Sequence, residues 1–202
     1  MASATTTSPS ATALERHASF FDPDATGFVT WRQTYAGMRR LGVHIPWRIL
    51  LTPVINGFLG YLTQGRPSFV IRIDAIAKGK HPYDSGTFDA SGELDAGAFD
   101  ALFAGAGDAI TEDEMRAVIT ARGDRLPGLG KVAGALGHWF SSREVGVFFC
   151  VAADATKVVD GKKVVAVSKK TFQRFYDGTL FFDLARRRAL VDAGCVRARR
   201  PY

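Results

Sequence analysis

The chain has 202 residues, of which 47% are hydrophobic and 23% charged, a balance that excludes a disordered or fibrous chain and predicts one folded domain. Its formal charge of +6 is not spread over a face: six arginines between Arg186 and Tyr202 stand against a single acid, Asp192, so the other 185 residues carry only +1. That distribution excludes a nucleic-acid footprint and predicts a basic C-terminal segment, 186–202, suited to anionic lipid headgroups; Cys150 and Cys195, without CxxC spacing, exclude a disulfide framework and predict buried or inert thiols in a reducing compartment.

Residues 1–12 are mostly Ala, Ser and Thr and predict a disordered tail, with neither the apolar core of a signal peptide nor the arginines of a transit peptide. From there, Leu14, His17, Ala18 and Phe21 fall at i, i+3, i+4 and i+7, which places His17 on the buried stripe of a short helix stopped by Asp22-Pro23-Asp24.

The next twelve residues, Asp22 to Gln33, follow the first half of an EF-hand loop. Asp22 and Asp24 stand at positions 1 and 3, Thr26 at 5, Gly27 at the sharp turn, Phe28 at the carbonyl position 7 and Thr30 at 9. Position 12, where a bidentate glutamate is expected, is Gln33. Two formal charges predict weak or vestigial calcium binding, against the alternative of a corner that binds nothing.

A helix is predicted around Trp31 to Leu41. It is followed by the most apolar stretch, Ile45 to Leu62, whose one charge is Arg48. Eighteen helical residues reach roughly 27 Å, marginal for a hydrocarbon core of about 30 Å. Pro46, Pro53, Gly57 and Gly60 predict a bent pair of short helices, an apolar hairpin buried in the protein or lying in a membrane interface.

Ser68 to Asp74 predicts a strand, and the polar run from Pro82 to Glu93 a loop. Asp95 caps a helix through Phe103, and Thr111-x-x-Glu114 is a capping box opening a helix to about Ala121. Helices from His138 to about Ala152 and from Lys169 through Leu190 complete the chain, with an Asp160-Gly161 turn between valine-rich flanks. The fold class is mainly α with minor β: an EF-hand-like helix-loop-helix, the apolar segment and a helical C-terminal half. Taken alone, His17 and His81 read first as core or loop histidines, and His44 and His138 as interface or capping residues.

In chain order, Leu14 to Asp22, the single calcium-type loop, Tyr35-Ala36-Gly37-Met38-Arg39, the proline-interrupted apolar segment, Lys80-His81-Pro82-Tyr83-Asp84 and Phe175-Tyr176-Asp177-Gly178-Thr179-Leu180-Phe181 resemble the caleosins, a family of haem-dependent peroxygenases. The ordered set covers about Leu14 to Leu184, and the chain departs from the family at Pro82-Tyr83 and at Gln33. The resemblance implies one haem domain over residues 13–185, with haem b held by His17 and His81, which are also the catalytic residues. His17, on a helix face, is then expected as the stable ligand, His81 as the labile one, and Asp84 as an orienting neighbour. It further implies oxygen transfer from an organic or fatty acid hydroperoxide to an unsaturated lipid or similar apolar substrate, by epoxidation, hydroxylation or sulfoxidation. Peripheral contact with a membrane or lipid droplet through 45–62 and the basic segment is expected, in an intracellular setting on a droplet, on the endoplasmic reticulum or in the cytoplasm. The competing class is a non-enzymatic calcium- and lipid-associated protein.

Overall fold

The computed structural model describes residues 11–80, 85–123 and 131–193. Contacts divide the chain into two compact units, one drawn from within 1–79, 90–93 and 174–198, the other from 80–89, 94–173 and 199–202. Residues 1–10 of the predicted tail, His81, Asp84, Cys195 and most of the basic segment lie outside the described residues, while Thr12, counted in that tail, is ordered as the N-cap of the first helix.

The first unit is built from two helix-strand-helix halves. In the first half, helix α1 (Ala13–Ser19) leads through the Asp22 loop to strand β1 (Phe28–Thr30) and helix α2 (Trp31–Arg40). In the second, helix α3 (Ile45–Gln64) leads to strand β2 (Val70–Arg72) and a 3-10 helix over Ile73–Gly79. The strands pair antiparallel with Val29 opposite Ile71, both buried, and Ala18 and Ile76 complete that core. The EF-hand-like half is thus paired with a second half that has the same layout and no acidic loop.

The segment 45–62 is not a bent pair of helices; it is the single helix α3. Pro46 occupies the first turn, where no backbone donor is needed. Pro53 removes one donor, and it sits on the exposed side of the helix together with Leu50 and Val54, where water can satisfy the freed carbonyl. The other side is tied down: buried Asn56 donates from Nδ2 to the carbonyls of Val29 (3.3 Å) and Phe69 (3.0 Å), and Gly60 lets the Ser68 carbonyl touch the helix backbone. Among the described residues, no helix is long and apolar enough to cross a membrane.

The expected long helix after Lys169 is two helices, α7 (Lys169–Tyr176) and α8 (Leu180–Asp192). Gly178, at φ +83°, is the break. Helix α8 carries Arg186, Arg187 and Arg188, so half of the arginines of the predicted basic segment are helical.

The second unit repeats the helix-strand-helix layout. Helix α4 (Ala96–Phe103), strand β3 (Ala109–Thr111) and helix α5 (Glu112–Gly123) form one half; helix α6 (Lys131–Ala152), the hairpin β4 (Ala155–Val159) and β5 (Lys162–Ser168), and α7 form the other. Both predicted caps are present: Asp95 accepts from the Ala98 amide at 2.9 Å, and Glu114 Oε2 accepts from the Thr111 amide at 2.8 Å. Strand β5 is central, paired with β3 and β4, and Phe103, Phe149 and Phe172 fill the core beneath it. Lys157 on β4 reaches the β3 loop, its Nζ donating to Glu114 Oε1 at 2.6 Å and to the Ala106 carbonyl at 2.9 Å. Cys150 on α6 is exposed, contrary to the buried thiol expected, because it faces away from Phe149.

Candidate functional site

The site is built around His17 on α1. Thr12 starts this short helix with a capping box, its amide donating to Glu15 Oε2 (2.7 Å) while its hydroxyl accepts from the Glu15 amide (3.3 Å). The block 175–181 wraps the helix from outside. The Asp177 carbonyl accepts from Arg16 Nε at 3.0 Å, and Asp177 Oδ1 accepts from the Thr179 amide at 2.9 Å and the Thr179 hydroxyl at 2.7 Å, which closes the turn. At Gly178 the two backbones touch: a Cβ there would lie 2.6 Å from the His17 nitrogen.

This wrapping fixes the imidazole. His17 Nδ1 lies 3.2 Å from the Phe175 carbonyl, an acceptor, so Nδ1 carries the proton and Nε2 is left with its lone pair. The Phe175 ring meets the imidazole edge-on at 4.8 Å and the Phe181 ring lies tilted at 4.6 Å. Phe20 and Phe21 pack in turn against Phe181. In this aromatic setting burial lowers the His17 pKa to about 4, the Phe175 hydrogen bond opposing only part of the effect. The imidazole is therefore neutral at physiological pH. A histidine whose Nδ1 proton is held by a carbonyl, with a bare Nε2, is the form that ligates a metal.

The calcium-type loop brings some of its expected donors together. Asp22 is buried; its Oδ1 accepts from the Thr26 hydroxyl (3.0 Å) and its Oδ2 from the Gly27 amide (2.7 Å). The Thr26 hydroxyl also lies 3.2 Å from the Phe28 carbonyl. Asp24 is exposed and makes no hydrogen bond among the described residues. Gln33 is turned away from this role: its Oε1 accepts from the Thr30 amide and the Thr30 hydroxyl, each at 2.8 Å, which caps α2. Among the described residues no three His, Cys, Asp or Glu side chains gather as a metal cluster.

Of the other described histidines, His44 stands at the N-cap of α3 but makes no side-chain cap bond, so the capping expected of it is not seen, and His138 joins α6 to α5 through Thr120 at 2.8 Å. One titratable group carries no sequence signal. Glu144 on α6, in the second unit, is pushed up to about 8 by burial, so it holds its proton at neutral pH.

The family profile described as "Caleosin related protein" matches residues 9–185. The chain belongs to the caleosin family. Among similar proteins, "Peroxygenase" of Lilium longiflorum is 29% identical over 189 residues, covering 87% of this chain and 71% of that protein. "Probable peroxygenase 4" of Arabidopsis thaliana is 26% identical over 186 residues, covering 87% of each. No solved structure matches. In this caleosin the family-like block 175–181 supplies the carbonyl and the rings that orient His17. Periodicity places His17 on a helix face but carries no trace of Phe175, which is 158 residues away.

Proposed function

We propose that this caleosin is a peroxygenase, an oxidoreductase that uses a hydroperoxide as oxidant, with haem b ligated through His17 Nε2. The observation that carries the reading is the imidazole itself: neutral, oriented by the Phe175 carbonyl and walled by Phe175 and Phe181. Bound haem supplies cleavage of the hydroperoxide O–O bond and transfer of one oxygen to the acceptor. The chain's part is to hold Nε2 unprotonated, to keep the ring from rotating, and to exclude water from it with phenylalanine. His81, assigned by resemblance as the second and labile ligand, remains part of the proposal, as does Asp84. The proposed oxidant is an organic or fatty acid hydroperoxide and the proposed acceptor an unsaturated lipid. Both are supported by family membership and by relatives that carry the peroxygenase name. The experiment is haemin reconstitution followed by cumene-hydroperoxide-dependent oxidation of oleate and a sulfide; absence of a Soret band would sink the reading.

Calcium enters the proposal as a weak ligand of the Asp22 loop. Its first half offers a carboxylate pair, a hydroxyl and a carbonyl, while Gln33 offers no charge and is occupied as a cap. Exchanging Gln33→Glu restores a bidentate acid without losing the capping box, and calorimetric titration should show calcium affinity rising by about tenfold or more. An unchanged affinity would remove the loop from the account.

Lipid contact is proposed through α3. Leu50, Val54, Phe58 and Tyr61 are all exposed along one side of it, and Arg48, the one charge between His44 and Gly65, is buried. An uncharged apolar stripe on a helix too short of hydrophobicity to span suits the headgroup boundary. In a flotation assay with phosphatidylcholine vesicles, the double change Leu50→Asp, Phe58→Asp should cut the floated fraction severalfold; equal flotation would show that α3 is not the contact.

A further inference from the structure

A second site lies in the first unit, beside the N-terminus of α3. It is a cleft of about 1350 Å³ walled by α1, α2, the start of α3, the 177–179 turn and α8. Its apolar lining includes Phe20, Val43, Ile45 and Phe182, but its character comes from arginine: Arg16, Arg39, Arg40, Arg48, Arg186 and Arg188 all line it.

The acids in the cleft are already engaged. Asp183 pairs with Arg174, Asp192 with Arg188 at 3.1 Å, and Asp177 accepts from Thr179. Arg16 is held by the Asp177 and Ala11 carbonyls and lies 3.9 Å from Glu93. Arg39, Arg40, Arg48 and Arg186 are left with no ion pair among the described residues. Arg40 is steadied by the Phe20 ring, 4.5 Å from its guanidinium carbon, and by the Phe20 carbonyl at 3.4 Å.

Arg48 is the decisive group. It is only 9% exposed, its Nε is buried without a hydrogen-bond partner, and its sole specific neighbour among the described residues is the Tyr35 ring at 5.0 Å. An Nε shut from water without a partner is costly, and the planar fork of guanidinium donors matches an oxyanion. The same wall carries the positive end of a 20-residue helix whose first turn has no acid and whose N-cap residue, His44, makes no side-chain cap bond. Buried cation, unpaired arginines and an uncapped helix terminus all line the same cleft.

We propose that this cleft binds a phosphate group, with Arg48 at its floor, the first turn of α3 facing it, and Arg39, Arg40 and Arg186 at its rim. Several unpaired cations fit the multiple oxygens of a phosphate better than a single carboxylate. The phosphate belongs either to a lipid headgroup, with Ile45 and Phe182 beside its glycerol end, or to a soluble phosphorylated compound. None of its named ligands is His17 or His81, the proposed haem ligands, although α1 and the 177–179 turn border both sites.

The test uses the full chain without haem. Inorganic phosphate at about 10 mM, ionic strength held with chloride, should raise the melting midpoint by several degrees through mass action. Vesicles of phosphatidylcholine with about one-fifth phosphatidic acid should bind more tightly than phosphatidylcholine alone. Arg48→Met should lower either affinity by about tenfold or more, and, with the unpartnered buried Nε removed, it should melt no lower than the parent in chloride. Arg187→Gln removes the same charge from α8 outside the cleft and should change affinity by less than about twofold. Should Arg48→Met fold poorly, Arg186→Gln on the exposed rim reads the same loss in smaller measure. A response to inorganic phosphate alone names a soluble ligand, a response to phosphatidic acid alone names the headgroup, and both results support the proposal. No response to either, equal losses in Arg48→Met and Arg187→Gln, or stabilisation by oleate but not phosphate would overturn it.

Discussion

His17→Ala is expected to yield a folded protein that binds haemin more weakly, with an altered Soret band, and loses peroxide-dependent oxidation by about a hundredfold or more, as removal of a principal catalytic group does. The reason lies in the one nitrogen that the fold presents unprotonated: Nδ1 is committed to the Phe175 carbonyl, so no rotation or tautomer change substitutes for Nε2. His17→Gln keeps polarity and approximate size but offers no imidazole, and should fail equally. Retained activity in both would show that His17 is a core residue. The pH dependence follows from the same environment. With the folded pKa near 4 and the free value at 6.5, the unfolded chain binds the extra proton first as pH falls. The apoprotein is unaffected above pH 6.5 and loses stability from there down to about pH 4, by at most about 3 kcal/mol. Acid melts of parent and His17→Ala should therefore diverge only within that window.

Gly178→Ala should be strongly damaging, because it combines a backbone clash with a left-handed dihedral. The added carbon would lie 2.6 Å from the His17 nitrogen and 2.8 Å from the Arg16 carbonyl carbon, both backbone atoms that no side-chain motion relieves, and the residue is held at φ +83°. Strain of about 1–3 kcal/mol for the dihedral alone, with the steric term added, predicts a fall in melting midpoint of roughly 10 °C. Gly65→Ala is the control. It shares a positive φ of +69° but has nothing within 4 Å, so only the dihedral cost should appear. Equal effects at the two positions would show that the contact with α1 does not matter. Because the 175–181 turn carries the carbonyl that orients His17, the Gly178 variant should also lose haem binding beyond what its stability explains.

Several features were legible in the residues because their causes are local. The 3.6-residue spacing of Leu14, Ala18 and Phe21 placed His17 on α1, and the boxes at Asp95 and at Thr111 with Glu114 gave the starts of α4 and α5. The errors arose where the cause was distant. Nothing near Pro53 reveals that it falls on the exposed side of α3, or that Asn56 bonds both Val29 on β1 and Phe69 just before β2. The break at Gly178 was hidden because Lys169 to Leu190 keeps a helical pattern, and only contact with α1 explains a glycine there. Gln33 could be recognised as a poor calcium ligand, but not as a cap for its own helix. The arginine cleft was unreadable, since its members come from four separate stretches, and the spacing that marked Arg48 as the one charge of an apolar segment does not show that it is buried beside the others.

The Lys157 ammonium gives the two units different dependences on their surroundings. It reaches from β4 to the Glu114 carboxylate in the first turn of α5 and the Ala106 carbonyl ahead of β3, the counterpart of the stretch where the first unit has its Asp22 donors. A cation tethered by its own side chain cannot be chelated or diluted away. The second unit therefore needs no dissolved ion to hold this contact, and a calcium response of the kind proposed for the Asp22 loop is not expected from the Glu114 contact.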